Sequence, residues 1–293
     1  MQQDLQQLKL DFIGLGAPKA GTTWIAQSLA MRPDICLSEP KEVEYFNTFR
    51  TFPSTEKNRN HTQPLEWYIR HFQHCGKDAV KGEFSTMYLA DEDAPGRIHA
   101  QFPDAKLIIC LRNPIDRAYS HYWMYRNYHK TETREFTKAF ADEESYRKNG
   151  MYYTHIQRYL EYFSRNQLLL ILFDDIKERP AEVMKQVVQF LELDESIPLE
   201  YVEGKANIAR QVKSPGFAKL VGKASRGMIA SGLSPVNRFL KKIGLKKILM
   251  RLISKPYSYP KMDEATREKV GEAFQQDVDQ LATFLNRDLS DWK

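Results

Sequence analysis

Cysteine is scarce: three in 293 residues, Cys36, Cys75 and Cys110, odd in number and far apart. None forms a CxxC pair, and the seven histidines (His61, His71, His74, His99, His121, His129, His155) show no metal-ligand spacing with carboxylates. Neither a disulfide framework nor a metal site is expected from such a pattern. The three thiols are expected to be reduced, with Cys110 buried in a strand. No apolar run approaches the roughly 18 residues of a membrane-crossing helix. The opening MQQDLQQLKLDF lacks the apolar core of a secretory signal. These absences set the expectation of a soluble, cytoplasmic protein. Repeats and low-complexity tracts are also missing, and a 42% hydrophobic content rules out disorder of the whole chain.

Acidic residues are absent from Lys205 to Lys261, where 14 of the 43 basic residues fall. The rest holds 29 basic residues against all 38 acidic ones, a balance of −9. An acidic body therefore carries one basic segment. Within it, Val236–Ile253 is amphipathic at roughly helical period with a basic polar face. Three uses are open for residues 205–256: docking on an anionic membrane surface, walling a cleft for a phosphate or anionic glycan, or packing on the acidic body or a second protomer. No nucleic-acid-binding module accompanies the charge, so a nucleic acid partner is not expected.

Elsewhere the pattern alternates. Residues 9–15 (KLDFIGL), 106–111 (KLIICL) and 168–173 (LLLILF) read as apolar strands. Thr22 to Met31, Ile115 to Asn127, Tyr152–Phe163 and Pro180–Leu191 read as helices, and Asp263–Leu285 as one or two surface helices. Continuously apolar strands separated by helices predict a parallel sheet covered on both faces. The expected fold is α/β, a P-loop-like three-layer core with a helical basic insertion and C-terminal helices. One domain spanning 1–293 is expected: a core over about 9–200, the basic segment, and a cap over about 257–293.

The first strand runs into Gly16-Ala-Pro-Lys-Ala-Gly21, which has the GxxxxG spacing of a phosphate-binding loop, followed by a helix. There, backbone N–H groups and a helix N-terminus suit an anion. Position 22, where a nucleotide hydrolase carries lysine, is Thr22; the lysine stands inside the loop, at Lys19. That displacement argues against ordinary ATP hydrolysis. A small-molecule kinase or nucleotide-binding module is the alternative. The second strand, 106–111, ends at Arg112-Asn113-Pro114. Ligands of such sheets bind beyond the carboxyl ends of the strands, so the two turns are expected to form one site.

PKAGTTW together with LRNPIDRAYSHYW resembles the sulfotransferases that use 3′-phosphoadenosine 5′-phosphosulfate (PAPS), most of all the heparan-sulfate type and its bacterial relatives. KEVEYFN, Gly150–Tyr152 and the ending RDLSDW also fit. The resemblance covers roughly residues 10–195 and 257–292. It implies sulfuryl transfer from PAPS to a hydroxyl or amine of a carbohydrate, glycolipid or small-molecule acceptor, with no metal. It implies that Lys19, Ala20, Gly21, Thr22 and Thr23 hold the 5′-phosphosulfate, and that Arg112 and Ser120 hold the 3′-phosphate. Arginine suits that task because its planar fork matches a phosphate. Trp24 matches an aromatic that stacks on adenine in cytosolic relatives, or it is core.

By the same resemblance Glu42 is the general base, with Lys41 orienting it or binding substrate anions; Glu44 is the nearest competitor. An acceptor hydroxyl is a poor nucleophile until its proton leaves, and a positioned carboxylate contributes roughly 10²–10⁴-fold. Lys19 would neutralise charge on the departing phosphate. One departure stands out: Glu83-Phe84-Ser85-Thr86 replaces the family's Glu-Lys-Ser/Thr-Pro, which removes a cation. Lys81 or Arg97 are the nearest substitutes, and Ser85 is a weak candidate for cofactor or substrate contact.

Overall fold

The structure, a computed structural model, describes residues 8–49, 57–203, 210–212 and 254–292. Strand β1 (Phe12–Gly16) is followed by α1 (Thr22–Leu29), β2 (Ile35–Leu37), α2 (Leu65–Ile69) and β3 (Val80–Phe84). Next come α3 (Ala94–Gln101), β4 (Lys106–Leu111) and α4 (Pro114–Trp123), which runs on into a π-helical turn, Met124–His129. Then follow α5 (Phe136–Asp142), α6 (Glu144–Lys148), α7 (Tyr152–Leu160), β5 (Leu168–Leu172), α8 (Phe173–Glu178) and α9 (Pro180–Phe190). An antiparallel ribbon of β6 (Arg210–Val212) and β7 (Ser254–Pro256) precedes α10 (Glu264–Gly271) and α11 (Gln275–Leu285).

The sheet order is β2-β3-β1-β4-β5 with every pair parallel, and helices flank it as the apolar strand runs require. β1 leads outward to β2 on one side, while β4 leads to β5 on the other. The switch point, where such sheets bind ligands, is therefore between the carboxyl ends of β1 and β4.

The periodicity reading misses β2 and β3. β2 has three residues, and β3 (VKGEF) carries two charges and a glycine. What holds β3 is packing across the ladder. Phe12 pairs with Gly82 and Gly14 with Phe84. A Cβ on Gly82 would stand 2.1 Å from the Phe12 ring, and one on Gly14 would stand 1.9 Å from Phe84. Each ring lies over its partner's glycine. A slip of one residue would set the rings against side chains and turn the faces over.

The cysteines correct an expectation. Cys36 in β2 is bonded to Cys75, just beyond α2, with Cα atoms 5.6 Å apart; Cys110 in β4 is free and buried. Thirty-nine residues separate the bonded pair, and only the return of the chain to β3 beside β2 brings them together. The basic segment of 205–256 lies outside the described residues, apart from the backbone of the ribbon. Towards the C-terminus, Val278 and Leu281 of α11 and Trp292 join the core, and the indole meets Tyr152 with ring centroids 6.3 Å apart.

Candidate active site

Two turns meet at the switch point. The chain leaves β1 through Gly16, at φ 139°, and enters α1 from Gly21, at φ 99°. Lys19 between them is left-handed too, at φ 71°. A side chain at Gly16 would strike the Thr86 carbonyl at 2.7 Å, and one at Gly21 would strike Ile176 at 2.8 Å. Gly16 is therefore required by space as well as by conformation, whereas the Ile176 side chain can yield and Gly21 is required by its φ. No side chain caps the α1 N-terminus; of its first amides, Trp24 N donates to the Gly21 carbonyl at 2.8 Å, and helix starts in general leave N–H groups free for an anion.

From β4, Arg112 reaches back across this loop. Its Nη1 donates to the Lys19 carbonyl at 3.2 Å, and its guanidinium lies 4.9 Å from the centroid of the Phe173 ring. The Tyr152 hydroxyl donates to the Arg112 carbonyl at 2.8 Å. Asn113 caps α4 by accepting from the Ile115 and Asp116 amides, and Pro114 takes the first helical position. Asp116, in the first turn of α4, is paired with Arg267 at 2.8 Å. Arg112 makes no ion pair among the described residues. Ser120 lies on α4, buried.

The Lys19 ammonium approaches the Met124 sulfur at 3.8 Å. It is pushed down to about 8, first by burial and then by Arg112, while Glu42 acts in the opposite direction. Two cations thus stand close enough to repel each other, one of them largely out of water, which favours an anion between them. Ala20 and Thr22 are buried beside Lys19, and Gly21 and Thr23 are half-buried.

Glu42 stands on the connection after β2, exposed, with Lys41 Nζ at 2.8 Å from its Oε1. Its charge is felt at both Lys19 and Glu83. Glu44 has φ 52°, and its amide donates to Ser85 Oγ at 3.0 Å.

Trp24 is set in the core. It is 5% exposed, its Nε1 donates to the Val202 carbonyl at 2.7 Å, and its ring meets Tyr201. These are the contacts that the core reading of this residue calls for. Lys81 donates to the Lys77 and Ala79 carbonyls, and Arg97 pairs with Asp93, so neither replaces the missing cation. Ser85 is fully buried and serves the backbone. His155 is enclosed, with Nε2 at 2.6 Å from the Lys148 carbonyl, and burial pushes it down to about 3. His121, also buried, is held well below its usual value by burial and Arg117. Among the described residues, Cys36, His74 and Cys75 are one close group of metal-ligating types, but the two sulfurs are spent on each other and His74 Nε2 sits 3.1 Å from the Leu37 carbonyl.

Phe173 and Met124 were not foreseen. Phe173 ends the apolar run 168–173, so its place at a strand's carboxyl end was a usable signal. Met124 depends on the π-helical turn, which periodicity does not register.

A glycine loop between a parallel strand and a helix, with cations from two adjacent strand ends, matches what comparison finds. The sequence matches the sulfotransferase domain family over residues 9–282, and the chain belongs to that family. It is 32% identical over 202 residues to the mouse bifunctional heparan sulfate N-deacetylase/N-sulfotransferase 4, covering 61% of this chain and 22% of the relative. The Caenorhabditis elegans N-deacetylase/N-sulfotransferase 1 is 26% identical, over 94% of this chain and 30% of its own length. The chain thus spans between a fifth and a third of these relatives. A solved sulfotransferase from Alicyclobacillus acidocaldarius is 25% identical with a TM-score of 0.68, covering 98% of this chain and 99% of that one.

Proposed function

We propose that this enzyme moves the sulfuryl group of PAPS to an amine or hydroxyl of a carbohydrate acceptor. The observation that carries the reading is the junction of Lys19 and Arg112 beside the uncapped start of α1. The residues fit such a donor. Lys19 with the Ala20, Gly21, Thr22 and Thr23 loop would hold the 5′-phosphosulfate end, and Arg112 with Ser120 the 3′-phosphate. When bound, the donor supplies an activated sulfuryl group on a phosphate leaving group. Lys19 stabilises negative charge at that end of the pocket. Glu42 takes the acceptor proton, and Lys41 orients its carboxylate from 2.8 Å. The glycan class of the acceptor is supported by the relatives, whose names specify heparan sulfate N-sulfotransferase.

The kinase alternative lacks its lysine at position 22. Calorimetry separates the two readings: adenosine 3′,5′-bisphosphate is expected to bind at micromolar concentration without magnesium, and Mg-ATP is not. Binding of Mg-ATP alone would favour the kinase. Transfer of labelled sulfate from PAPS to N-desulfated heparan sulfate tests the acceptor class, and loss of that transfer in Glu42→Gln tests the base.

The cytoplasmic expectation rested on the lack of an apolar leader and of a membrane-length run, with three reduced thiols beside them, and two of those thiols are bonded. Disulfides persist mainly in oxidising compartments, so that premise is withdrawn. No helix among the described residues is long and apolar enough to cross a membrane. Contact of the basic segment with an anionic membrane surface is a separate proposal, resting on its composition alone. Salt-sensitive flotation with anionic liposomes tests it.

A further inference from the structure

Two segments that mark the resemblance, Gly150–Tyr152 and the RDLSDW stretch (Arg287–Trp292), take no part in the proposed chemistry. The structure brings both to the turn that carries Arg112. The Tyr152 hydroxyl, fully buried, donates to the Arg112 carbonyl at 2.8 Å. One residue along, Asn113 Nδ2 donates to the Asp291 carbonyl at 3.0 Å while its Oδ1 caps α4. The Trp292 ring packs edge-to-face on Tyr152. Arg287 grips Asp175 in the first turn of α8, Nη2 to Oδ1 at 2.7 Å. That helix begins with Phe173, whose ring centroid lies 4.9 Å from the Arg112 guanidinium.

Tyr152 is itself set from the same side. α7 starts without a side-chain cap of its own, and Asp277 of α11, 2% exposed, supplies one. Its Oδ2 accepts the Tyr153 amide at 2.9 Å; its Oδ1 accepts the Thr154 amide at 3.0 Å and the Thr154 hydroxyl at 2.9 Å. A carboxylate is favoured at a helix start, and these three bonds fix the turn on which Tyr152 stands. Gly150, just before it, is wedged in place. A Cβ there would stand 2.7 Å from the Phe274 ring and 3.0 Å from Pro114.

We infer that Tyr152 and Asp277 are positioning residues for Arg112. Asp277 fixes the start of α7, Tyr152 fixes the Arg112 carbonyl, and the guanidinium is thereby aimed at the 3′-phosphate of the donor. The inference rests on the proposed role of Arg112 as the 3′-phosphate ligand. A long side chain loses affinity for every freedom it must give up on binding, and Arg112 makes no ion pair among the described residues that would hold it beforehand. Support from behind the turn supplies that order without occupying the guanidinium. Selectivity for a 3′-phosphorylated nucleotide then depends on α11 and residues 287–292, which stand behind the site.

Tyr152→Phe tests this, since it removes one hydroxyl and keeps the ring. Calorimetry with adenosine 3′,5′-bisphosphate and with adenosine 5′-monophosphate separates the two ends of the nucleotide. A neutral hydrogen bond corresponds to about three- to tenfold in affinity. Bisphosphate binding should weaken by that factor, while monophosphate binding holds within about 1.5-fold. Turnover at saturating PAPS should hold within about twofold as the donor KM rises. In an Arg112→Ala background the second substitution should cost less than about 1.5-fold further. Bisphosphate affinity unchanged in Tyr152→Phe overturns the inference. Equal weakening of both nucleotides, or a loss that persists in full in the Arg112→Ala background, does the same. If Tyr152→Phe does not fold, Asp277→Asn, which leaves one carbonyl oxygen for three donors, must show the selective loss; its absence overturns the inference equally. The donor reading is checked separately on the wild type. Binding there of the bisphosphate no better than the monophosphate would remove the 3′-phosphate role of Arg112, and the inference with it.

Discussion

The Nη1 of Arg112 donates to the carbonyl oxygen of Lys19 at 3.2 Å, so the residue that ends β4 holds the backbone of the loop that ends β1. One cation thereby fixes the carrier of the other. The two are expected to fail differently. Arg112→Ala removes a fork suited to phosphate and also frees the loop. A hydrogen bond to a charged group contributes about 1.5–3 kcal/mol, so bisphosphate affinity should fall about 10–100-fold. Lys should restore little of it, having no planar fork. Lys19→Ala should lower turnover at saturating PAPS about 10²–10³-fold, by analogy with removal of one transition-state donor, with a smaller loss of affinity. Titration calorimetry and saturating turnover distinguish them; equal affinity losses with unchanged turnover in Lys19→Ala would reject the division of labour.

Affinity should depend on pH through Lys19. Burial, then Arg112, brings its ammonium down to about 8. A bound phosphate favours the charged form and raises that value, so above pH 8 binding takes up a proton. Affinity for the bisphosphate should therefore fall as pH rises from 8, with a limiting slope of about tenfold per pH unit. Lys19→Met should lose that limb. Stability of the free protein runs the other way. The unfolded lysine titrates at its ordinary 10.5, so between pH 8 and 10.5 the unfolded state holds more protons and the fold gains stability as pH rises. Calorimetry and urea midpoints across pH 7–10.5, wild type against Lys19→Met, check both signs.

Much of this arrangement is legible in the chain. β1, β4 and β5 can be read because strands buried on both faces need no alternation, and Lys19 and Arg112 because each follows such a run. The family resemblance places Glu42, which no periodicity does. β3 is illegible for a physical reason: its glycine answers to the Phe12 ring, which arrives from β1 some seventy residues away. Trp24 is ambiguous in the chain because core and stacking aromatics look alike, and its partners Val202 and Tyr201 lie far along the sequence. The Cys36–Cys75 bond escaped because local spacing says nothing about two elements that meet through β3.

That bond closes the segment carrying Lys41 and Glu42, and its 39-residue separation corresponds to about 4 kcal/mol of stabilisation on the chain-entropy account. Cys36→Ser with Cys75→Ser should lower the urea unfolding free energy by roughly that amount. A reductant should do the same to wild type and nothing to the double variant. Cys110 is buried and its thiol is pushed up to about 12 by burial, so it should not react in the folded state. Ellman's reagent should find no reactive thiol in the native oxidised protein. Two rapidly reacting thiols there would mean that the bond is absent.

The loop glycines allow a matched comparison of crowding and open space. At Gly16 an added methyl meets the Thr86 carbonyl at 2.7 Å and Leu89 Cβ at 3.3 Å, with φ at 139°. The contact is with backbone, which cannot swing aside as a flexible side chain would. Leu89 N also donates to the Leu15 carbonyl at 2.9 Å, tying that segment to β1. Overpacking costs about 1–3 kcal/mol, and a residue held in a disfavoured backbone region costs about 1–3 more. Gly16→Ala should therefore destabilise by about 2–6 kcal/mol and weaken bisphosphate binding, because relief requires the β1 turn to move. At Gly76 nothing lies within 4 Å, and Gly76→Ala should change stability by no more than about 0.5 kcal/mol. Urea unfolding of the two variants checks the contrast, and equal stabilities would mean that the β1 turn yields to a methyl group.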